Sequence, residues 1–159
     1  MVLQYPCAPN CFPTQIREVA AAVELIHSNY AQWHCDPNRV AIMGFSAGDH
    51  LGSFVNTSGH KELTEEDVAK FSLEKHISEK TPPAFLWHTT EDVGVPVMNS
   101  LLYAQDLAEH KIPFALHIYP YGPHGLATVD EQTNNNLEDK VLLANRWIDE
   151  ALKWLSFTL

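Results

Sequence analysis

The sequence has few basic side chains. Ten lysines and arginines stand against twenty aspartates and glutamates in 159 residues, which gives a formal net charge of −10. Nucleic acids and anionic membrane surfaces bind basic faces, so this balance argues against both as partners. No apolar run approaches the roughly 18 residues that a membrane-spanning helix needs. The N-terminus also lacks a basic region followed by a long apolar stretch, so no secretory signal is visible.

Cysteine is scarce as well, with three in the chain. An odd, small number cannot form a disulfide framework; it indicates reduced thiols and favours a cytoplasmic location. Cys7 and Cys11 lie close together but are flanked by prolines, which argues against a metal site there. The run His34-Cys35-Asp36 has metal-binding residue types but no second cluster at zinc spacing. We expect no metal ion.

Apolar patterning predicts strands and helices in alternation along one domain, residues 1–159. Apolar residues recur at helical spacing in residues 13–34, 95–111 and 134–155. Short apolar runs bounded by turn residues predict strands at residues 2–5, 39–44, 84–89 and 114–119. Asp36-Pro37-Asn38 predicts a turn before the second strand. Alternation of this kind is typical of an α/β fold with a mostly parallel sheet flanked by helices. The four tryptophans are interpreted as packing residues.

The segment Gly44-Phe45-Ser46-Ala47-Gly48 matches the pattern G-x-S-x-G, after an apolar strand and before a helix. In this context Ser46 occupies a sharp, strained turn, and Gly44 and Gly48 leave room for the flanking strand and helix. The turn exposes the hydroxyl and directs the Ala47 N–H to the same space, where both can serve acyl transfer. The alternative interpretation is a tight turn without chemistry.

A serine nucleophile needs a base, and the base needs an orienting acid. In this type of fold both follow the serine, each just beyond a strand. Asp92 follows the strand at 84–89, and His124 follows the strand at 114–119. Glu91 competes with Asp92 for the role of the acid. The carboxyl ends of parallel strands are where ligand sites of α/β folds collect.

With these residues in place, the sequence resembles the esterase and acetyl-xylan-esterase-like branch of the α/β-hydrolase superfamily, related to hormone-sensitive-lipase-like and prolyl-oligopeptidase-like hydrolases. Three blocks carry the resemblance in the right order: "FPTQIREVAAAV", "DPNRVAIMGFSAGDHL" and the stretch from "TPPAFLWHTTEDVGVP" to "YGPHGL". The family pattern H-T-x-x-D-x-x-V-P falls on His88, Thr89, Asp92, Val95 and Pro96. The resemblance implies Ser46 as nucleophile, Asp92 as acid and His124 as base, with no metal or organic cofactor.

The sequence also departs from the family. Residues 1–43 contain no H-G-G-type oxyanion loop, so the resemblance implies a chain that begins at the family's fourth strand and lacks the first three. The family has a further strand, its sixth, between the helix after the nucleophile and the strand that carries the acid, and residues 59–80 contain no apolar run that could form it. Asp49 stands where the family often has glycine. Missing strands leave sheet edges open, and open edges invite self-association.

Two functions from different classes follow. The first is a serine carboxylesterase acting on small acyl esters, with acetyl groups on sugars as a candidate substrate. The second is a catalytically impaired remnant or fragment that acts, if at all, as a binding or assembly module. A peptidase is a third interpretation, for which the sequence offers no propeller domain.

Overall fold

The computed structural model describes residues 1–4, 12–48, 76–130, 132–133 and 136–159. Within it the chain divides into two compact units, Met1–Thr81 with Leu159, and Pro82–Thr158. Several features predicted from the sequence lie outside the described residues: Cys7 and Cys11, Asp49, and most of the segment 59–80 from which a strand is predicted to be missing. The single domain stays a prediction.

The first unit contains helix α1, Phe12–Asn29. Among its described side chains from residue 14 onward, Ile16 and Val19, about one turn apart, are buried and apolar. The predicted helix continues to residue 34, but the observed one ends five residues earlier. The side chains of Ser28 and Asn29 hydrogen-bond to carbonyls one turn back, at 2.8 Å each. Such bonds compete with the backbone pattern, and residues 30–34 form turns instead.

The strand predicted at residues 39–44 is wrong, because these residues do not form a strand. Residues 2–4 of the strand predicted at 2–5 do not form one either, and residue 5 lies outside the described residues. Exposure nevertheless alternates along the second segment, with Ile42 half-buried and Met43 73% exposed. That alternation is what a strand pattern predicts, but a strand also needs a hydrogen-bonded neighbour. The preceding turn is confirmed, because the Asp36 carboxylate accepts the Asn38 N–H at 2.9 Å.

The second unit is built on two parallel strands, β1 (Ala84–Thr89) and β2 (Phe114–Tyr119), joined through helix α2 (Met98–Glu109). Both strands are confirmed to the residue. A 3-10 helix, Val141–Arg146, runs directly into helix α3, Trp147–Thr158. The sequence predicts one helix over residues 134–155, whereas the observed helical residues begin at Val141 and are of two types. Five of the six apolar residues that recur at helical spacing there pack in one apolar cluster, namely Leu137, Val141, Ala144, Ile148 and Ala151. The sixth, Leu155, is half-buried but is not part of that cluster.

The two strands carry a helix on each face. Trp87 of β1 stacks on Trp147 of α3, with ring centroids 5.4 Å apart and planes 9° from parallel. The next residue, His88, hydrogen-bonds to Ser100 of α2 on the other face. Trp87 and Trp147 are thus packing residues as predicted, whereas Trp33 is 44% exposed. The α/β class is confirmed. Among the described residues no helix combines the length and apolarity needed to cross a bilayer.

The loop after β2 is backbone-strained and firmly anchored. Ala127 and Val129 have φ of +47° and +55°, values that are unfavourable for any residue with a side chain and worst for a β-branched one. The Trp147 indole donates a hydrogen bond to the Ala127 carbonyl, and the Asn145 amide donates one to the Val129 carbonyl, both at 3.0 Å. Val129 is fully buried in the apolar cluster. Packing therefore holds the loop in a conformation that its residues disfavour.

We expect Trp147→Phe to lower the free energy of unfolding by about 2 kcal/mol, because the smaller ring leaves a gap and the Ala127 carbonyl loses its donor. Trp154→Phe on the same helix is the matched control, because it also replaces an indole by a smaller ring but at a half-buried position. Urea unfolding followed by circular dichroism measures both. Equal losses in the two variants would contradict an anchoring role for Trp147.

Candidate active site

Ser46 lies in the first unit with a left-handed backbone, φ +54°. A positive φ is uncommon for serine and costs on the order of 1–3 kcal/mol, so it persists only where the surroundings impose it. Here a tight turn does so: the Gly48 N–H donates to the Phe45 carbonyl at 3.0 Å. Ala47 and Gly48 are the first helical residues after the turn, and Gly44 is half-buried before it. The side chain of Ser46 is exposed.

Asp92 lies in the second unit, in the turn that follows β1. Its Oδ1 accepts the backbone N–H groups of Gly94, at 2.9 Å, and of Val95, at 2.8 Å. Its Oδ2 lies 2.8 Å from Nδ1 of His124, in the loop after β2. Two side chains that the sequence separates by 32 positions are thus in direct contact. They meet at the carboxyl ends of two neighbouring parallel strands.

The Asp92 carboxyl is 8% exposed, yet it is held in the ionised form. Burial raises its pKa, but the hydrogen bonds from Val95, His124 and Gly94 outweigh burial and lower the pKa below its usual 3.8. An ionised carboxylate can only accept, so Nδ1 of His124 carries the proton between them. In the neutral ring the lone pair is then on Nε2. This is the tautomer that a general base needs.

Glu91, the competing acid, makes a different contact. Its Oε2 accepts the Gly122 N–H at 3.0 Å. The Gly122 carbonyl in turn accepts the Thr89 hydroxyl at 2.6 Å, so this pair of bonds ties the end of β1 to the loop after β2. Gly122 has φ +129°, and a side chain there would also overlap Leu126. The geometry therefore gives Asp92, and not Glu91, the contact with His124.

Gly94 allows the close approach of Asp92 and His124. A Cβ at this position would lie 3.2 Å from both Cβ and Cγ of His124 and 3.4 Å from Oδ1 of Asp92. Those distances are at or inside ordinary van der Waals contact. The imidazole can keep its present position only because residue 94 has no side chain.

One further side chain, His88, lies beside Asp92, and Ser100 in turn contacts His88; the sequence assigned neither a role. Nε2 of His88 lies 3.0 Å from the Val95 carbonyl oxygen and 3.5 Å from Oδ2 of Asp92, while Nδ1 lies 2.8 Å from the Ser100 hydroxyl. The signal for His88 was its place in the family pattern four residues before Asp92. Nothing in the sequence marks Ser100, because the contact depends on how α2 packs. No three potential metal ligands cluster anywhere in the described part of the chain.

The predicted site residues thus fall into two groups. Ser46, with Ala47, Gly44 and Gly48, belongs to the first compact unit, and the contacting pair Asp92 and His124 belongs to the second. The grouping of all three into one triad stays a prediction.

Two family profiles match the sequence. The profile of the prolyl oligopeptidase family matches residues 52–153, which is more than half of the chain. The BD-FAE profile matches residues 5–76. Together they cover both compact units, and the two matches overlap between residues 52 and 76.

Curated relatives are esterase- or xylan-related enzymes. Endo-1,4-beta-xylanase B of Butyrivibrio fibrisolvens is 31% identical over a match that spans 74% of this chain and 25% of that protein. The acetylxylan esterase of Xylanibacter ruminicola is 26% identical over 69% of this chain and 30% of that protein. The chain thus spans between a quarter and a third of the length of these relatives.

Solved structures confirm the fold class. An acetyl ester-xyloside bifunctional hydrolase of Caldicellulosiruptor lactoaceticus superposes with a TM-score of 0.80 at 31% identity, over 96% of this chain and 69% of that one. The small parallel sheet with flanking helices is consistent with the incomplete α/β-hydrolase fold predicted from the sequence. The chain belongs to the prolyl oligopeptidase family and is an esterase-like α/β hydrolase.

Proposed function

We propose that the chain is a serine hydrolase of the carboxylesterase type, with Ser46 as nucleophile, His124 as general base and Asp92 as the orienting acid. The observation that carries the proposal is the 2.8 Å contact between Nδ1 of His124 and an ionised Asp92. A histidine held in this tautomer beside a strand end has the orientation that proton transfer from a serine requires. The positive φ of Ser46, in a turn that opens a helix, supports the choice of nucleophile.

The proposed reaction proceeds through an acyl-enzyme. Ser46 Oγ attacks the ester carbonyl carbon while Nε2 of His124 takes the hydroxyl proton, and Asp92 stabilises the imidazolium that forms. The Ala47 N–H binds the oxyanion of the tetrahedral intermediate. Collapse breaks the bond to the alcohol oxygen, which leaves with the proton from His124. Water, deprotonated by the same histidine, then attacks the acyl group and releases the acid and free Ser46.

Small acyl esters are the proposed substrates, with acetylated carbohydrate as the first class to test. The names of two matched proteins, an acetylxylan esterase and an acetyl ester-xyloside hydrolase, support this choice. The net charge of −10 gives no electrostatic attraction to anionic substrates, which agrees with neutral esters. The reaction as written needs no metal ion or organic cofactor.

Covalent labelling tests the proposal without assuming a substrate. A fluorophosphonate probe phosphonylates a serine, with loss of fluoride, only where a base activates the hydroxyl, so peptide mass spectrometry is expected to find the label on Ser46. The His124→Ala variant is expected to label at least about tenfold more slowly. This comparison also tests whether the residues of the two compact units act together. Equal labelling of both proteins, or none of Ser46, would contradict the triad and favour the non-catalytic remnant.

Gly94→Ala tests the geometry of the pair. The new methyl group would crowd His124 by a few tenths of an ångström, and displacements of this kind cost on the order of tenfold in rate. We therefore expect kcat/KM for p-nitrophenyl acetate to fall about tenfold, with little change in thermal stability. A variant as active as the wild type would show that the imidazole has room to move without loss of function.

A further inference from the structure

His88 lies where it can fix the position of the Asp92 carboxylate. It is the penultimate residue of β1, and its side chain is 11% exposed. The ring bridges the turn that contains Asp92 and the first turns of α2, through Val95 on one side and Ser100 on the other. No step of the proposed reaction uses this imidazole. The proposed reaction therefore does not explain why this half-buried histidine has a partner on each ring nitrogen.

The partners of His88 fix its tautomer. The Val95 carbonyl can only accept, so Nε2 carries a proton and donates it at 3.0 Å. In the neutral ring Nδ1 then accepts the Ser100 O–H at 2.8 Å. The Nε2–H also faces Oδ2 of Asp92 at 3.5 Å, a longer contact that places a positive hydrogen beside the carboxylate.

His88, Val95 and the carboxyl group of Asp92 all contact one another. Val95 donates its N–H to Oδ1 of Asp92 and accepts the Nε2–H of His88 on its carbonyl. His88 therefore fixes Val95 through its carbonyl, and Val95 fixes Asp92 through its N–H. The same Nε2–H lies beside Oδ2, the oxygen that receives the Nδ1–H of His124. Loss of the His88 ring would free Val95 to turn and leave Oδ2 without a donor on that side.

We propose that His88 is a positioning residue: through Val95 and the Asp92 carboxylate it keeps Oδ2 aligned with Nδ1 of His124, and Ser100 keeps the His88 ring in its orientation. The inference rests on the proposed function for its kinetic consequence, but its geometric content is independent of turnover. His88 touches neither a substrate nor the reacting atoms, so its effect on rate is indirect.

Three variants separate positioning from simple loss of packing. His88→Leu fills the site but donates nothing, and is expected to lower kcat/KM for p-nitrophenyl acetate at least tenfold. His88→Gln supplies an amide N–H that can reach the Val95 carbonyl, and is expected to recover to within threefold of the wild type. His117→Leu is the matched control: it removes a half-buried histidine from the neighbouring strand, where its partner is Glu150. This control is expected to keep kcat/KM within twofold.

Nuclear magnetic resonance of ¹⁵N-histidine-labelled protein measures how fast the Nδ1–H of His124 exchanges with solvent, and this rate reports its hydrogen bond to Asp92. The Nδ1–H of His124 is expected to be observable and slowly exchanging in the wild type and in His88→Gln, and to exchange at least tenfold faster in His88→Leu. If the wild type shows this pattern but has no esterase turnover, the positioning role stands and the proposed function fails. A folded His88→Leu protein with unchanged exchange would overturn the positioning role, whatever its activity.

Ser100→Ala provides a second test of the positioning role in case the His88→Leu protein does not fold. It removes the donor to Nδ1 and leaves the His88 ring in place, free to turn. We expect about a threefold loss in kcat/KM and a measurable rise in the exchange rate of the His124 Nδ1–H. An unchanged exchange rate in this variant would overturn the inference. Complete loss of turnover would also overturn it, because it would assign Ser100 a direct chemical role.

Discussion

Ser46→Ala is expected to reduce kcat/KM for p-nitrophenyl acetate by at least about 10³-fold, down to the rate of protein without a nucleophile. The reason is that no other group can form the acyl-enzyme once the hydroxyl is gone, and the remaining oxyanion donor and binding contacts supply only a small part of the acceleration. The assay compares purified wild type and variant at equal concentration. Equal rates would mean that the observed turnover comes from elsewhere, and the triad would be contradicted.

A second substitution at the same position separates chemistry from strain. Ser46 holds φ +54°, which glycine adopts at no steric cost and alanine does not. Both variants lose the hydroxyl and any contact it makes, so their difference isolates the backbone. We expect Ser46→Gly to be more stable than Ser46→Ala by roughly 1 kcal/mol, while both are inactive. Thermal unfolding measures the difference, and a less stable glycine variant would show that the turn is not strained.

The second compact unit was more predictable from the sequence than the first. β1 and β2 match their predicted limits because each is an apolar run bounded by turn residues, and each finds the other as a hydrogen-bonded partner. Residues 40–45 have an equally clear pattern and are not a strand. Patterning reports which side chains seek burial, whereas strand formation also depends on a neighbour elsewhere in the chain.

In the site, too, local sequence patterns indicated individual residues, whereas contacts between distant segments could not be predicted. The G-x-S-x-G spacing indicated a strained turn, and the positions after two strands indicated Asp92 and His124. Position after a strand left Glu91 and Asp92 as alternatives, and the family pattern favoured Asp92. The contact of Asp92 with His124 agrees with that choice, whereas Glu91 accepts the Gly122 N–H. The contact to Ser100 was beyond prediction, since it requires α2 to pack on one face of β1 at a particular register.

Asp92→Asn is the second substitution with a large expected effect, on the order of 10⁴-fold in kcat. The two backbone N–H groups of Gly94 and Val95 require an oxygen in the Oδ1 position, so the amide nitrogen must take the place of Oδ2. There its N–H groups face Nδ1 of His124, which lies 2.8 Å from Oδ2 in the native protein. The imidazole must accept from the amide and carry its proton on Nε2 instead. A histidine in that tautomer cannot take a proton from Ser46.

Glu91→Gln is the matched control for this substitution, because it neutralises the adjacent carboxylate but leaves an oxygen for the Gly122 N–H. It is expected to keep kcat within about threefold of the wild type, because Glu91 contacts Gly122 and neither His124 nor the reacting atoms. If both variants lost activity equally, the net charge of the turn and not the tautomer of His124 would be responsible. A fully active Asp92→Asn protein would remove Asp92 from the mechanism.

The Asp92→Asn variant also allows a prediction about how the free energy of unfolding depends on pH. Because the folded-state pKa of Asp92 is lowered, the unfolded chain binds the proton more readily, and folding stability rises with pH through this group. The contribution is present above the usual value of 3.8 and is lost as pH falls through the lowered pKa. Urea unfolding at about pH 6 and about pH 3 should therefore show the stability gap between wild type and Asp92→Asn narrowing in acid. A gap that stays constant would mean that the hydrogen bonds to Asp92 do not favour its ionised form, and the tautomer assigned to His124 would lose its electrostatic basis.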